Sequence, residues 1–242
     1  MLALGVLPAC HKGVKTTRFR PAPAEPAPKA RFFDRAFPFQ GQEHKYAIYA
    51  PPGAAPDAGW PAILFLHGSG ERGDDNVAQT RVGIGPAILA HPERFPCVVV
   101  MPQCPKGPRW EGALNEMALA ALDDASAAYP IDQERLALTG LSMGGFGTWA
   151  IAAEHPGRFR VLAPVCGGGE PQRAALLART PIWCWHGAAD TAVPAARSRE
   201  MVAAVQAAGG EVRYTEVEHI GHNSWDSAYA SPELIRWLIG DE

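Results

Sequence analysis

The segment Gly140-Leu141-Ser142-Met143-Gly144-Gly145 sets a serine in the pattern G-x-S-x-G, between the apolar run Leu136–Thr139 and the Ala-rich run Phe146–Ala153. At a sharp strand-to-helix turn such a serine presents its hydroxyl at the carboxyl end of a sheet. Small residues on either side are needed for strand and helix to pass closely. The chemistry this suits is attack on a carbonyl, provided a base takes the hydroxyl proton and an acid orients the base. Other chemistries find less footing. Eight histidines and five cysteines are scattered, with no H-E-x-x-H and no C-x-x-C, so no metal site is expected. His219 and His222 stand three apart without a third ligand in view. Gly167-Gly168-Gly169 is not followed by the Lys-Ser/Thr of a phosphate loop and reads as a strand-end loop. No cofactor is expected.

A turn of this kind needs a strand before it and a helix behind it. Strand candidates are Tyr46–Tyr49, Ala62–Leu66, Cys97–Met101, Leu136–Thr139, Val161–Val165, Ile182–Trp185 and Val212–Val217. Most of the middle ones are apolar throughout, as in a parallel sheet covered on both faces. Helix candidates lie between them: Leu114–Tyr129, which stops at Pro130, and Ala195–Ala208, which stops at Gly209-Gly210. Ser231-Pro232 suits the cap and first turn of a last helix through Ile239. The alternation reads as an α/β domain with a twisted, mostly parallel sheet. There is no internal repeat and no stretch long enough for an inserted cap domain.

The chain resembles an α/β-hydrolase from about Arg31 to its end. Four segments carry the resemblance: Leu66-His67-Gly68-Ser69-Gly70-Glu71-Arg72-Gly73-Asp74-Asp75-Asn76; Pro102-Gln103-Cys104-Pro105 with Trp110; Thr139 to Trp149; and Gly221-His222-Asn223-Ser224-Trp225-Asp226. Together they resemble compact bacterial esterases, the phospholipase/carboxylesterase-like or "predicted peptidase" group, related to the feruloyl and polyhydroxybutyrate-depolymerase esterases. The resemblance implies an α/β-hydrolase fold of about eight strands, with helices on both faces and no large cap domain. It also implies the chain order Ser, then acid, then His. Asp190 follows Ile182–Trp185 and matches the acid. His222 follows Val212–Val217 and matches the base, and Ser142 is the nucleophile. His219 is a competing base, but the Gly-His-Asn-Ser-Trp context favours His222. Asp226 is a competing acid whose position suits loop packing better. Glu216 and Glu218 read as solvent-facing on an outer strand, His186 as a loop-bracing residue, and His44, His91 and His155 as surface or capping residues.

The oxyanion hole needs two backbone N–H donors. Met143, the residue after the nucleophile, supplies one, and Ser69 in the His67-Gly68-Ser69-Gly70 loop the other, with Gly70 the next choice. Glu71 and Arg72 are expected to pin that loop by an ion pair. Trp110 and Trp225 either border the substrate pocket or belong to the core. The expected function is hydrolysis of carboxylic esters of short-chain or aryl acyl groups through an acyl-enzyme. The alternatives are a serine peptidase acting on short peptides and, outside the enzymes, a catalytically silent binding protein of the same fold. An aspartate at the elbow would have signalled dehalogenase or epoxide-hydrolase chemistry; this chain has Ser142.

Composition bounds the rest. Apolar residues make up 47%, charged residues 19%, and the formal net charge is −3, which argues against nucleic acid as a partner and for an ordinary globular core. No apolar run reaches the roughly 18 to 20 residues of a membrane span. Residues 1–30 read as a separate leader and Pro/Ala-rich tether, and residues 31–242 as the catalytic domain. Leu7-Pro8-Ala9-Cys10 resembles a lipoprotein processing site, which would place a lipid anchor at Cys10 and export the protein. A clipped signal and a plain cytoplasmic tail are the other readings. Cys97, Cys104, Cys166 and Cys184 are expected to be free and buried. Oligomeric state does not follow from the sequence.

Overall fold

The structure, a computed structural model, describes residues 30–241. The apolar runs form eight strands: β1 (Phe33–Phe39), β2 (Gln42–Tyr49), β3 (Trp60–Leu66), β4 (Val98–Pro102), β5 (Ile131–Leu141), β6 (Val161–Val165), β7 (Ile182–Gly187) and β8 (Val212–Val217). They make one sheet in the order β1-β2-β4-β3-β5-β6-β7-β8. The first two pairings, β1 with β2 and β2 with β4, are antiparallel, and all the others are parallel. Six helices accompany it: α1 (Ile84–Ala90), α2 (Ala113–Ala128), α3 (Met143–Glu154), α4 (Ala196–Ala207), α5 (Trp225–Ala230) and α6 (Pro232–Ile239). Apolar side chains alternate between the two faces of the sheet. One layer joins Ile48, Leu64, Val100 and Leu138 to α2, α3 and α4, and the other joins Ile63, Phe65, Val99 and Val165 to α1, α5 and α6. This is why β3, β4 and β6 are apolar at every position.

Four elements go beyond the sequence expectation. β1 buries only Phe37, so its pattern shows no clean alternation, and it is held as an edge strand by a two-residue turn to β2. Gln40 and Gly41 both have positive φ there (49° and 77°), the geometry that matches the twist of a hairpin. β5 begins at Ile131, well before Leu136, because the pairing with β3 slips between Trp60 and Ala62 and bulges out the polar Asp132–Arg135. The short α1 and α5 carry too few residues to display a period. The last helix follows its sequence signals closely. Ser231 Oγ accepts the Leu234 N–H at 3.2 Å, Pro232 sits in the first turn, and Gly240 closes the helix in the left-handed region.

Among the described residues, no helix is long and apolar enough to cross a membrane. Cys10, the leader and the tether up to Lys29 lie outside the described residues. Cys97, Cys104, Cys166 and Cys184 are free and buried.

Candidate active site

Ser142 stands between β5 and α3 with φ 52° and ψ −115°, a strained conformation for a residue with a side chain. The flanking glycines are dictated by contact. A Cβ on Gly144 would lie 1.9 Å from the Leu66 carbonyl oxygen, and one on Gly140 would lie 2.4 Å from that of Gly144. The end of β3, the end of β5 and the start of α3 thus touch backbone to backbone at the turn that carries Ser142.

Two loops beyond the sheet bring the partners. The loop of Asp190 follows β7, and the loop of His222 follows β8. They are tied by Ala188 N–H to Val217 O and Ala189 N–H to Ile220 O, both 2.9 Å. His222 Nε2 lies 2.8 Å from Ser142 Oγ, and His222 Nδ1 lies 2.7 Å from Asp190 Oδ2. A carboxylate only accepts, so Nδ1 carries the ring proton and Nε2 is left to accept from the serine hydroxyl. Asp190 Oδ1 takes the N–H groups of Ala192 and Val193, each at 2.9 Å. Burial pushes the Asp190 carboxyl up, but the bonds from His222 and these amides outweigh it and hold the group below the usual carboxylate range. The competitors lie elsewhere. His219 is exposed in a turn, and Asp226 is exposed and accepts from Asn223 Nδ2 at 3.2 Å. Glu216 differs from expectation. Instead of facing solvent alone, it is clamped by Arg199 and by Tyr214 Oη, which hold its carboxyl at about 2.

The loop after β3 bends into a short 3₁₀ turn, Ser69–Glu71, with Ser69 exposed. Met143 heads α3, where first-turn amides have no acceptor within the helix. The expected Glu71–Arg72 ion pair does not form among the described residues. Arg72 instead donates to the carbonyls of Ser69, Gly107 and Pro108, stapling the loop after β3 to the loop after β4. Burial raises the Glu71 carboxyl, although the N–H groups of Gly68 and Glu71 itself act the other way. His67 is fully buried and is held neutral by that burial, its imidazole pushed down to about 4. Its Nε2 accepts the Cys104 N–H at 2.9 Å, so Nδ1 donates to Gly68 O at 2.6 Å. Gln103 completes the scaffold. Its Nε2 donates to Glu71 O and Asp75 Oδ1, and its Oε1 accepts the Asn76 N–H. The scaffold roles of Gln103, Arg72 and His67 were not evident from sequence; the co-occurrence of the Gly-Glu-Arg-Gly-Asp-Asp-Asn and Pro-Gln-Cys-Pro segments was the only signal.

Trp110 is almost wholly buried at 3% exposure, and its Nε1 donates to His67 O at 2.9 Å. It also forms one wall of a cleft of about 240 Å³, with Phe146, Trp149, Arg197 and Met201 opposite. The cleft runs along α3 from Phe146 to Glu154, and none of Ser142, Asp190 and His222 lines it. Trp225 packs edge-on against the His222 ring, with centroids 5.3 Å apart. Glu116, Glu154 and His155 cluster at the far end of α3, two of them exposed and His155 hydrogen-bonded to Glu116; the cluster lies apart from Ser142.

The chain matches the prolyl oligopeptidase family over residues 116–173, the stretch that contains the elbow. It is 27% identical to the "Putative esterase NocK" of Nocardia uniformis subsp. tsuyamanensis over 206 residues, 77% of this chain and 57% of that one. It is 31% identical to the bifunctional acetylxylan esterase/xylanase XynS20E of Neocallimastix patriciarum over 156 residues, 62% of this chain and 22% of that one. Among solved structures, a thermostable esterase superposes with a TM-score of 0.80 at 34% identity, covering 86% of this chain and 62% of that one. The chain therefore spans less than two thirds of the length of each of these relatives. With this sheet order, a serine at the turn from β5 into α3 and this superposition, the chain has the α/β-hydrolase fold.

Proposed function

We propose that the chain is a serine hydrolase that cleaves carboxylic esters, with Ser142 as nucleophile, His222 as base and Asp190 as the orienting acid. The observation that carries the reading is the continuous pair of hydrogen bonds, 2.8 Å from Ser142 to His222 and 2.7 Å from His222 to Asp190. Ser142 Oγ attacks the ester carbonyl as His222 Nε2 takes its proton. The carbonyl oxygen becomes an anion, received by the N–H groups of Met143 and Ser69. His222 then delivers the proton to the leaving alcohol, and an acyl group stays on Ser142. Water, deprotonated by the same nitrogen, releases the acid.

The esterase names of the relatives support an ester over an amide, and the match to the prolyl oligopeptidase family keeps short-peptide cleavage as the second reading. Trp225, edge-on to the His222 ring, puts an aromatic surface beside the proposed base, which supports short or aryl acyl groups over long alkyl chains. The substrate is thus a small-molecule ester. The N-terminal Leu7-Pro8-Ala9-Cys10 supports export, with lipidation at Cys10. A panel of p-nitrophenyl esters and peptide anilides, read as kcat/KM with and without Ser142→Ala, tests the reading. Acetyl and butyryl esters are expected well above acyl chains of twelve carbons, with little amide cleavage. A preference for anilides would overturn the ester assignment, and full activity in Ser142→Ala would overturn the nucleophile.

A further inference from the structure

The Asp190 carboxylate serves a second histidine that the reaction above does not use. His186 ends β7 and is completely buried, as is the Asp190 side chain. Its Nε2 lies 2.8 Å from Val193 O and 3.2 Å from Asp190 Oδ2, the oxygen that His222 also uses. Both neighbours of Nε2 are acceptors, so that nitrogen carries a proton whatever the other does. Nδ1, on the far side of the ring, lies 2.7 Å from Ser198 Oγ, and Ser198 in turn donates to Gly167 O at 2.9 Å. The ring is therefore anchored to α4 and to the loop after β6, and its Nε2–H is shared between Val193 O, the nearer acceptor, and the acid.

We propose that His186 is a positioning residue for Asp190, holding the carboxylate through an Nε2–H donor that shares Oδ2 with His222. The inference rests on the proposed roles of Ser142, His222 and Asp190. Four donors converge on the carboxylate: Ala192 and Val193 N–H on Oδ1, and His222 and His186 on Oδ2. That number fills the lone-pair sites of a carboxylate. Without His186, the Oδ2 end is held by His222 alone, which is the group the acid has to orient. The carboxylate then swings with its own client, and the His222 ring loses its fixed direction toward Ser142. Such a loss acts on the proton-transfer step and leaves substrate contacts alone, so it falls on kcat and spares KM.

The side-chain geometry offers a paired test. The amide nitrogen of glutamine can reach the place of imidazole Nε2, whereas that of asparagine reaches only the place of Nδ1. His186→Gln keeps the donor toward Asp190 and gives up the Ser198 contact; His186→Asn does the opposite. With p-nitrophenyl acetate, kcat is expected to fall about 30-fold to 100-fold in His186→Asn and less than about 5-fold in His186→Gln, with KM within about 2-fold in both, consistent with misplacing a catalytic group by a fraction of an ångström. The rate of Ser142 labelling by a fluorophosphonate should fall in step with kcat. Equal losses in the two variants, or losses that follow their melting temperatures, would overturn the proposal.

A measurement on the unmutated protein needs neither turnover nor a folded variant. Long-range nitrogen–proton NMR of the histidine rings, with the His186 signals assigned from their couplings to the backbone, is expected to show the proton on Nε2 across the range in which the protein is folded. A bare Nε2 sinks the proposal. If the protein neither hydrolyses esters nor labels at Ser142 while Nε2 is protonated, the proposed function has failed and only the donor on Nε2 stands.

Discussion

Replacing Gly144 by alanine tests whether the elbow is dictated by contact. The added Cβ would stand 1.9 Å from the Leu66 carbonyl oxygen, and real Cβ atoms are essentially never found within 3.0 Å of such a neighbour. The two backbones must part by at least 3.0 − 1.9 = 1.1 Å, and neither is a flexible side chain that can turn aside. One partner is the end of β3, which leads into His67 and the loop bearing Ser69; the other is the first turn of α3, which bears Ser142 and Met143. Overpacking of this kind costs about 1–3 kcal/mol, occasionally more. If the movement is taken up at Ser142, its 2.8 Å bond to His222 stretches beyond hydrogen-bonding range. A misplacement of about 1 Å costs roughly a hundredfold in turnover. Urea denaturation and kcat for p-nitrophenyl acetate measure the two effects separately. Gly70→Ala is the stability control, because nothing stands within 4 Å of a Cβ there and its φ is not positive; it should stay within about 0.5 kcal/mol. A Gly144→Ala protein as stable as the control, with turnover within a few-fold of the original, would refute the reasoning.

Ser142→Ala and His222→Ala should each lower kcat by about 10³-fold or more, with no further loss in the double variant, because the two act as one unit. His219→Ala, at an exposed turn, should leave kcat within a few-fold, which the same assay reads. The thiols should resist iodoacetamide in the native protein, since burial raises all four, Cys104 to about 11 and Cys166 and Cys184 to about 12, and Cys97 further still. Peptide mass spectrometry after unfolding without reductant should find all four alkylated, and a bridge between any two would contradict the structure. Glu216→Gln should cost under about 1 kcal/mol at pH 7, because the Arg199 partner is more than half exposed. The folded carboxyl is held at about 2, below its ordinary 4.5, so its contribution is complete above pH 4.5 and fades as the pH falls toward 2. Denaturation midpoints of the two proteins should therefore draw together below pH 4.

The parts of the site that were legible in the sequence are those fixed by local geometry. Gly140 and Gly144 announce the elbow because a Cβ at either would strike backbone, that of the turn itself or that of the end of β3. The central strands announce themselves because burial on both faces admits only apolar residues. The last helix does so because Ser231, Pro232 and Gly240 each meet a local need of a helix end. What the pattern missed was short or irregular. β1 buries a single phenylalanine, β5 carries a polar bulge, and α1 and α5 are seven and six residues long. None of these runs far enough to repeat.

The scaffold beneath the loops was illegible for a different reason. Arg72 was expected to meet its neighbour Glu71, yet it reaches carbonyls at Gly107 and Pro108, 35 and 36 residues on, because two loops converge there. Gln103 binds backbone and side chains near Asp75 for the same reason. His186 and Asp190 lie four apart, which in a helix would be a readable pair. Here the chain between them is a turn, and their contact depends on Ser198 holding the far side of the ring and on Val193 O beside the acid. Sequence spacing informs about side chains only when the backbone between them is regular. The residues that point the nucleophile, the base and the acid at one another are held mostly by irregular backbone, so the roles most exposed to mutation in this site are those that spacing alone could not assign.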